Sequence, residues 1–280
     1  MRVLVTGVKG QLGYDIVRVC QEEGIEAIGV DIEEMDITDC EAVAKVIGQS
    51  GADAVIHCSA YTAVDKAEED IDTCNKVNVE GTRNIALVCR ELNIKMMYFS
   101  TDYVFDGQGE KPWQVDDAPS PINVYGQSKY LGEQEVRNLV KEHFIIRISW
   151  VFGINGNNFV KTMLRLGNER DELNVVDDQI GAPTYTYDLA RLAVAMIQSD
   201  KYGTYHVTNE GDTSWYEFAK EIFFQAGVEV KVNPVSSSEF KSAAKRPSNS
   251  KMDKSRLDEA GFGRLPSWQD ALKRYLVELQ

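Results

Sequence analysis

Residues 2–13 read RVLVTGVKGQLG, an apolar strand that runs directly into a loop with glycines at positions 7, 10 and 13. The pattern after the loop predicts a helix from about Gln11 to Glu23. A glycine loop between a strand and a helix lets the backbone approach a pyrophosphate, and the helix N-terminus supplies free N–H groups and a positive dipole end. Because a tight turn also requires glycine, the loop alone leaves both a nucleotide site and an ordinary turn open.

Strands and helices alternate outward from this loop as far as Trp150. Predicted strands lie in IEAIGVD, DAVIHCSA, KMMYFST and HFIIRISW, and the segments between them are helical, including a long helix from about Glu68 to Leu92. This order predicts a parallel sheet, and the near-continuous apolar strands are typical of burial on both faces. The fold class is therefore α/β, a Rossmann-like doubly wound parallel sheet with a smaller α/β C-terminal substrate-binding domain.

The acidic residue after the second strand turns the glycine loop into a specific prediction. Asp31 follows the glycines by about 20 residues, where a Rossmann fold places the carboxylate that binds the adenosine ribose. The carboxylate would repel a 2′-phosphate and favours NAD, whereas Lys9 or Lys45 could attract one, so NADP stays open. Asp36 and Ile37, which follow shortly, are candidate contacts for adenine.

The alternation becomes less regular after Trp150. We predict a dinucleotide-binding domain over residues 1–150 and a substrate-binding domain over residues 151–280. A segment near 180–200, with a helix from about Asp188 to Ser199, is predicted to return to the first domain. A polar stretch, SSSEFKSAAKRPSNSK, precedes a closing helix from about Ser267 to Leu279.

Composition excludes several classes of function. The chain has 280 residues and a net charge of −14, with no basic face for nucleic acid or an anionic membrane. It contains no apolar run of about 18 residues that could span a bilayer. The N-terminus begins as a strand without signal-peptide features, so we expect a cytoplasmic protein. Five scattered cysteines without a CxxC pair favour reduced thiols over a zinc site.

A tyrosine and a lysine lie four positions apart in INVYGQSKYLGE, residues 122–133. On a helix Tyr125 and Lys129 share one face, and a nearby cation favours the phenolate. A tyrosine with a reference pKa of about 10 thereby becomes useful near neutral pH. A surface tyrosine and lysine at a common helical spacing would give the same pattern.

The GxxGxxG loop and the YxxxK motif together resemble the extended short-chain dehydrogenase/reductase superfamily. Within it, seven further segments resemble the dTDP-4-dehydrorhamnose reductase family. They are YTAVDKAE at 61–68, FSTDYVFDG at 99–107, NVYGQSK at 123–129, SWVFG at 149–153, NNFVKTML at 157–164, DQIGAPT at 178–184 and RPSNSKM at 246–252. They span nearly the whole chain in the order of the family, which is more specific than any single motif.

The resemblance implies catalysis by Thr101, Tyr125 and Lys129. Tyr125 would donate a proton to the substrate carbonyl oxygen, and Lys129 would lower the pKa of Tyr125 and bind the nicotinamide ribose. Thr101 would hydrogen-bond the same oxygen, and Asn78 would support the lysine through water. These roles fit general acid catalysis, which needs a donor within hydrogen-bond reach and a suitable pKa.

The resemblance also implies a cofactor and a nucleotide-sugar substrate. The residues implied to bind NADPH or NADH are Gly7, Gly10, Gln11, Leu12, Gly13, Asp31, Asp36, Ile37, Cys58, Ser59, Ala60, Phe99, Tyr125 and Lys129. The residues implied to bind the substrate are Val64, Thr101, Asp102, Val104, Trp150, Asn158 and Arg246. Core packing would equally explain Trp150, and a solvated helix face would explain two weaker candidates, Lys161 and Arg165. We expect His57, His143 and His206 to be structural.

Several alternatives stay open at this point. Asp102 is followed by Tyr103 instead of a second acid, which disfavours a dehydratase, whereas an epimerase or a reductase of another nucleotide sugar would use the same tyrosine and lysine. The regulatory beta subunit of methionine adenosyltransferase resembles the same reductases and would bind a dinucleotide without turnover. The resemblance implies a monomer or homodimer, with magnesium at a dimer interface in some members, and no metal in the active site.

Overall fold

The computed structural model describes residues 1–240 and 242–280. The β-strands of the described chain are β1 Arg2–Thr6, β2 Glu26–Val30, β3 Ala54–His57, β4 Lys95–Thr101, β5 His143–Ile148, β6 Val151–Phe152, β7 Glu172–Val176, β8 Ile180–Gly181, β9 Thr184–Tyr185, β10 Gly203–His206, β11 Thr213–Ser214 and β12 Lys231–Val235. Its α-helices are α1 Gln11–Glu22, α2 Cys40–Ser50, α3 Val64–Ala67, α4 Ile71–Asn75, α5 Thr82–Leu92, α6 Val124–Leu139, α7 Phe159–Glu169, α8 Thr186–Ile197, α9 Trp215–Ala226, α10 Ser255–Glu259 and α11 Trp268–Glu278.

A six-stranded parallel sheet organises the molecule, with strand order β10-β5-β4-β3-β1-β2. Val3, Leu4 and Val5 of β1, which lies between β3 and β2, are fully buried because helices cover both faces. One apolar layer contains residues of α1 and α8, and the other contains residues of α2, α5 and α6. The prediction of a doubly wound, Rossmann-like α/β fold is confirmed.

The chain returns to this sheet over a longer segment than the sequence predicts. Helix α8 packs against α1, and β10 then pairs with β5 as an edge strand, with Gly203 opposite Phe144. Leu257 and Leu265 pack into the same apolar layer. The sheet is therefore completed by residues that follow position 200.

The remaining C-terminal residues pack around a separate apolar cluster. Helices α7, α9 and α11 contribute to it, together with β7, which pairs with β12 in a small parallel sheet. Phe152, Phe218 and Tyr275 are buried at its centre. This layer stands beside the carboxyl end of the large sheet, where its loops meet those that follow β1 to β5.

The long helix predicted from Glu68 to Leu92 is interrupted in the structure. Helix α4 ends at Asn75, a π-helical segment follows over Lys76–Gly81, and α5 begins at Thr82. Asn78 in this segment accepts a hydrogen bond from Tyr61 N at 2.8 Å and donates one to Ser128 Oγ at 2.9 Å. The widened turn thus lets a buried amide connect three parts of the chain.

Within residues 1–240 and 242–280, no helix combines the length and the apolar character needed to cross a bilayer.

Candidate active site

A cleft of about 800 Å³ runs along the carboxyl ends of β1 to β5. Every predicted cofactor residue lines it, namely Gly7, Gly10, Gln11, Leu12, Gly13, Asp31, Asp36, Ile37, Cys58, Ser59, Ala60, Phe99, Tyr125 and Lys129. These residues come from five separate segments. They meet because parallel strands bring their carboxyl ends to one edge of the sheet.

The glycine loop has the shape that a pyrophosphate requires. Gly7 has φ +69°, and a Cβ there would lie 2.8 Å from Ser59 N, while a Cβ on Gly13 would collide with the Gly7 carbonyl. Helix α1 begins after Gly10 without a side-chain cap among the described residues, so its first amide groups are available to a ligand. The loop therefore fits a dinucleotide on geometry alone.

Asp31 lies directly beside the glycine loop, within a strongly acidic group. Its carboxylate accepts hydrogen bonds from Lys9 N and Ile32 N, both at 2.9 Å. Lys9 Nζ pairs with Glu33 at 2.7 Å, and Glu34 accepts a hydrogen bond from Asp31 N at 2.9 Å. Lys9 lines the cleft, whereas Lys45 is exposed on α2 outside its lining. A 2′-phosphate bound here would lie near the carboxylates of Asp31, Glu33 and Glu34. The charge of Lys9 is already paired with Glu33.

Tyr125 and Thr101 lie together at the far end of the cleft. Tyr125 is in the first turn of α6, which Asn123 caps by accepting a hydrogen bond from Gly126 N at 2.7 Å. Thr101 ends β4 and donates a hydrogen bond to Asp102 Oδ1 at 2.9 Å. Tyr103 packs edge-on against Tyr125 with 5.6 Å between ring centroids. Strand β4 and helix α6 thereby hold two hydroxyl groups beside one carboxylate.

The electrostatics of Tyr125 differ from the sequence prediction. Burial raises the pKa of Tyr125, the charge of Asp102 raises it further, and a hydrogen bond with Thr101 lowers it. A nearby ammonium was predicted to lower this pKa, but burial dominates. The phenol is consequently protonated at neutral pH, which is the form that a proton donor needs.

Lys129 is 3% exposed, and its ammonium lies 4.0 Å from the centroid of the Tyr98 ring. Burial lowers the pKa of Lys129 to about 7, while the charge of Glu133 raises it. Asn78 hydrogen-bonds Tyr61 and the hydroxyl of Ser128, which precedes Lys129 in α6. Its support of the lysine through water stays a prediction.

The predicted substrate residues divide into two groups. Val64, Thr101, Asp102 and Trp150 line the cleft. Burial raises the pKa of Asp102 to about 6, and its Oδ2 atom has no hydrogen-bond partner within the described residues. Trp150 has φ +47° and stacks on Trp215, with ring centroids 3.7 Å apart. A buried carboxyl group and an indole ring thus both contribute to the lining of this cleft.

Two predicted substrate residues do not face this space. The Val104 side chain is 0% exposed and lies in the protein interior. Asn158 caps α7 by accepting from Lys161 N at 3.0 Å, and its amide donates to Gly153 O, Tyr275 Oη and Gln11 Oε1. All of its hydrogen bonds are therefore internal. The sequence could not distinguish these orientations from a cleft-facing one.

Arg246 lies in a second cleft of about 1060 Å³, which is lined by α7, β7, residues in 237–240 and 242–246, and part of α3. Its guanidinium binds the Asp65 carboxylate, with Nη1–Oδ1 at 3.2 Å and Nη2–Oδ2 at 2.6 Å. Lys161 instead donates to the carbonyls of Ile154 and Gly156, and Arg165 pairs with Glu169 at 2.8 Å. Neither lines either cleft, as expected of structural residues.

Sequence reasoning missed several lining residues. Tyr103 and Asn157 line the first cleft, while Phe159, Arg170 and Trp215 line the second. Tyr103 directly follows Asp102 in a motif already identified, so its position was a usable signal. Trp215 begins a separate helix, and no local pattern links it to Trp150.

The histidines are structural in their contacts. His57 is buried between the hydroxyls of Thr6 and Thr82, and burial lowers its pKa to about 3. Burial likewise lowers the pKa of His206 to about 3, and His143 Nδ1 lies 2.6 Å from Val140 O. Within the part of the chain that the structure describes, no three potential metal ligands lie together. Magnesium at a dimer interface stays a prediction.

Comparison with known proteins extends the similarity over the whole chain. The family model described as the RmlD substrate binding domain matches residues 1–280. The chain is 41% identical over 277 residues to the spore coat polysaccharide biosynthesis protein SpsK of Bacillus subtilis, with 99% of this chain and 97% of that protein covered. It is 40% identical over 286 residues to dTDP-4-dehydrorhamnose reductase of Aggregatibacter actinomycetemcomitans, with 97% of each covered.

A solved structure is also similar throughout. The crystal structure of dTDP-4-dehydrorhamnose reductase from Bacillus anthracis, in complex with NADP, is 45% identical, with a TM-score of 0.97 and 99% of each chain covered. The likeness thus includes both the large sheet and the C-terminal layer.

Proposed function

The chain belongs to the RmlD substrate binding domain family, and on this premise we propose that it is an NAD(P)H-dependent oxidoreductase of dTDP-rhamnose biosynthesis. It reduces the 4-keto group of dTDP-4-dehydro-L-rhamnose to give dTDP-L-rhamnose, with Tyr125 as the proton donor. The observation that carries the proposal is the position of Thr101, Tyr125 and Lys129 in the cleft whose other end is the glycine loop. The relatives named as dTDP-4-dehydrorhamnose reductases support the choice of substrate.

The proposed chemistry uses residues of this chain for binding and for proton transfer. Reduced nicotinamide, when bound, supplies the hydride that adds to the carbonyl carbon. Tyr125 donates its phenolic proton to the carbonyl oxygen, so that the ketone becomes an alcohol. The Lys129 ammonium stabilises the phenolate left behind. Thr101 hydrogen-bonds the same oxygen once its hydroxyl turns away from Asp102.

The substrate spans the two clefts in this proposal. The sugar lies against Trp150, next to Thr101 and Asp102 in the lining of the first cleft. The diphosphate lies near Arg246, whose guanidinium suits paired hydrogen bonds to phosphate oxygens. The aromatic and basic lining of the second cleft, with Phe159, Trp215 and Arg170, suits a nucleotide.

The cofactor is NADPH or NADH, and Asp31 with its acidic neighbours favours NADH. In this proposal residues 1–150 and the segment returning to the sheet bind the cofactor, and most of residues 151–280 bind the substrate. A cytoplasmic location and a monomer or homodimer complete the proposal.

The test is loss of absorbance at the reduced-nicotinamide band, with enzymatically generated dTDP-4-dehydro-L-rhamnose and either NADPH or NADH. Decay that yields dTDP-rhamnose supports the proposal and ranks the two cofactors. If cofactor binds and no decay follows, the substrate is another nucleotide sugar or the chain acts as a regulatory subunit. Co-purification with a partner enzyme distinguishes the second of these outcomes.

A further inference from the structure

Glu133 is a buried acid that the proposed chemistry does not use. It lies four residues after Lys129 on α6, so both side chains leave the same face of the helix. The Glu133 side chain is 0% exposed. A buried carboxylate is costly unless it is paired, so its position beside the catalytic lysine requires an explanation.

Arg147 fixes the Glu133 carboxylate from the neighbouring strand β5. Its Nε donates to Oε1 and its Nη2 to Oε2, both at 2.8 Å, and the arginine side chain is only 1% exposed. Arg147 Nη1 also donates to Val115 O at 3.0 Å. Arg137, one turn further along α6, donates to Oε2 at 2.9 Å. Three N–H donors thus hold the carboxylate in one orientation.

The other groups around Lys129 are neutral. They comprise Tyr98 on β4, His57 and Cys58 at the end of β3, and Cys74 on α4, and Tyr125 lines the same cleft. Burial raises the pKa values of both tyrosines and both thiols and lowers that of His57, so none of them carries charge at neutral pH. Glu133 is therefore the anion on which the Lys129 ammonium depends.

We propose that Glu133 is a positioning residue for the reduction, and that its carboxylate, held by Arg147, keeps Lys129 charged in the cleft. This inference rests on the proposed function, because it concerns the lysine of that active site. Its consequence is a pH dependence. Since the pKa of Lys129 is lowered to about 7, the ammonium is present below that pH and is lost as pH rises through it.

The test compares the pH profiles of kcat/KM for the wild type and Glu133→Gln. Loss of the negative neighbour lowers the pKa of Lys129 further, so the alkaline limb moves to lower pH by about one unit. Activity above the limb then falls about tenfold, while activity well below it is retained. Glu135→Gln is the matched control, because Glu135 is on the same helix but pairs at 3.8 Å with the exposed Arg83. Its profile is expected to match the wild type.

A second variant covers the case in which Glu133→Gln does not fold, since it leaves the Arg147 charge unpaired. Glu133→Gln combined with Arg147→Met removes the pair together, which protein interiors tolerate better than half a pair. A smaller shift of the alkaline limb in the same direction is expected, because the positive charge of Arg147 is lost together with the negative charge of Glu133. If the alkaline limb of the kcat/KM profile keeps its wild-type position and activity falls equally at every pH, the inference is overturned and Glu133 has only a structural role. Absence of turnover in the wild type would instead contradict the proposed function.

Discussion

At the scale of single residues, Tyr125 combines two properties that a proton donor needs. It lines the cleft beside Thr101, and burial together with the Asp102 charge keeps its phenol protonated at neutral pH. In the proposed reaction Lys129, four residues later, acts after the proton has left Tyr125, because its ammonium stabilises the phenolate. The YxxxK spacing predicted this pair, but the effect of burial on the tyrosine depends on side chains from β4 that the spacing does not reveal.

Replacing Tyr125 with phenylalanine removes the proton donor and little else. We expect turnover to fall by about 10²- to 10⁴-fold, the usual contribution of a general acid. Cofactor affinity, measured by quenching of tryptophan fluorescence, is expected to stay near that of the wild type. Unchanged turnover would remove Tyr125 from the mechanism.

Asp31 permits a prediction about cofactor choice. Asp31→Ala removes a ribose acceptor and one of three clustered carboxylates, so NADH is expected to bind more weakly and NADPH to be less affected. The ratio of the two dissociation constants is the measurement. Glu229→Ala, at an exposed site that does not line the cleft, is the control for general loss of acidic charge. Equal weakening of both cofactors would mean that Asp31 does not bind at the ribose 2′ position.

At the scale of elements, Asn158 shows how a motif residue acts through a helix. Its side chain caps α7 and also connects that helix to Gln11 at the start of α1 and to Tyr275 in α11. Asn158→Ala is expected to lower the free energy of unfolding by about 2 kcal/mol, because the cap is lost and buried partners stay unpaired. Denaturant unfolding measures this loss.

The neighbouring asparagine provides the matched control. Asn157 is exposed and lines the first cleft, so Asn157→Ala is expected to change stability by less than about 0.5 kcal/mol. The opposite ranking, with Asn158→Ala stable and weak in substrate binding, would restore the ligand role that the sequence predicted.

Periodicity predicted the elements well where each one follows its own pattern. The helices over Gln11–Glu22, Thr186–Ile197 and Trp268–Glu278 begin and end close to their predicted limits. It failed at Lys76–Gly81, because one extra residue in a turn scarcely alters an apolar repeat. The side-chain directions of Val104 and Asn158 were also beyond it, since they depend on contacts with distant segments.

At the scale of the whole molecule, the topology of the predicted parallel sheet located the cofactor residues. The second cleft could not be predicted from the sequence. The carboxyl ends of parallel strands meet by topology, so residues after β1 to β5 had to be neighbours. The second cleft instead forms where α3, α7 and residues in 237–240 and 242–246 approach one another. Strand β10 illustrates the same limit, because only tertiary pairing assigns a short strand after residue 200 to the first half.

Asp65 joins these two parts of the molecule and supports the last prediction. Asp65 lies in α3, in the first half of the chain. Its carboxylate accepts hydrogen bonds from the Arg246 guanidinium and, at 3.1 Å, from Ala244 N. It thereby orients both the backbone and the guanidinium of a segment that lines the second cleft. Asp65→Asn is expected to weaken binding of thymidine diphosphate about three- to tenfold, because Arg246 loses its bidentate partner. Calorimetric titration measures the change, and NADH affinity is expected to stay constant.

A second exposed ion pair, between segments that are distant in sequence, separates orientation of Arg246 from simple tethering of the chain. Asp116 pairs with Arg256 at 3.0 Å, and neither residue lines a cleft. Asp116→Asn therefore removes a comparable exposed link, worth at most about 1 kcal/mol, without affecting Arg246. We expect its thymidine diphosphate affinity to equal that of the wild type. If Asp65→Asn binds the diphosphate more tightly, Asp65 competes with phosphate for Arg246, and the pair opposes substrate entry instead of preparing the site for it.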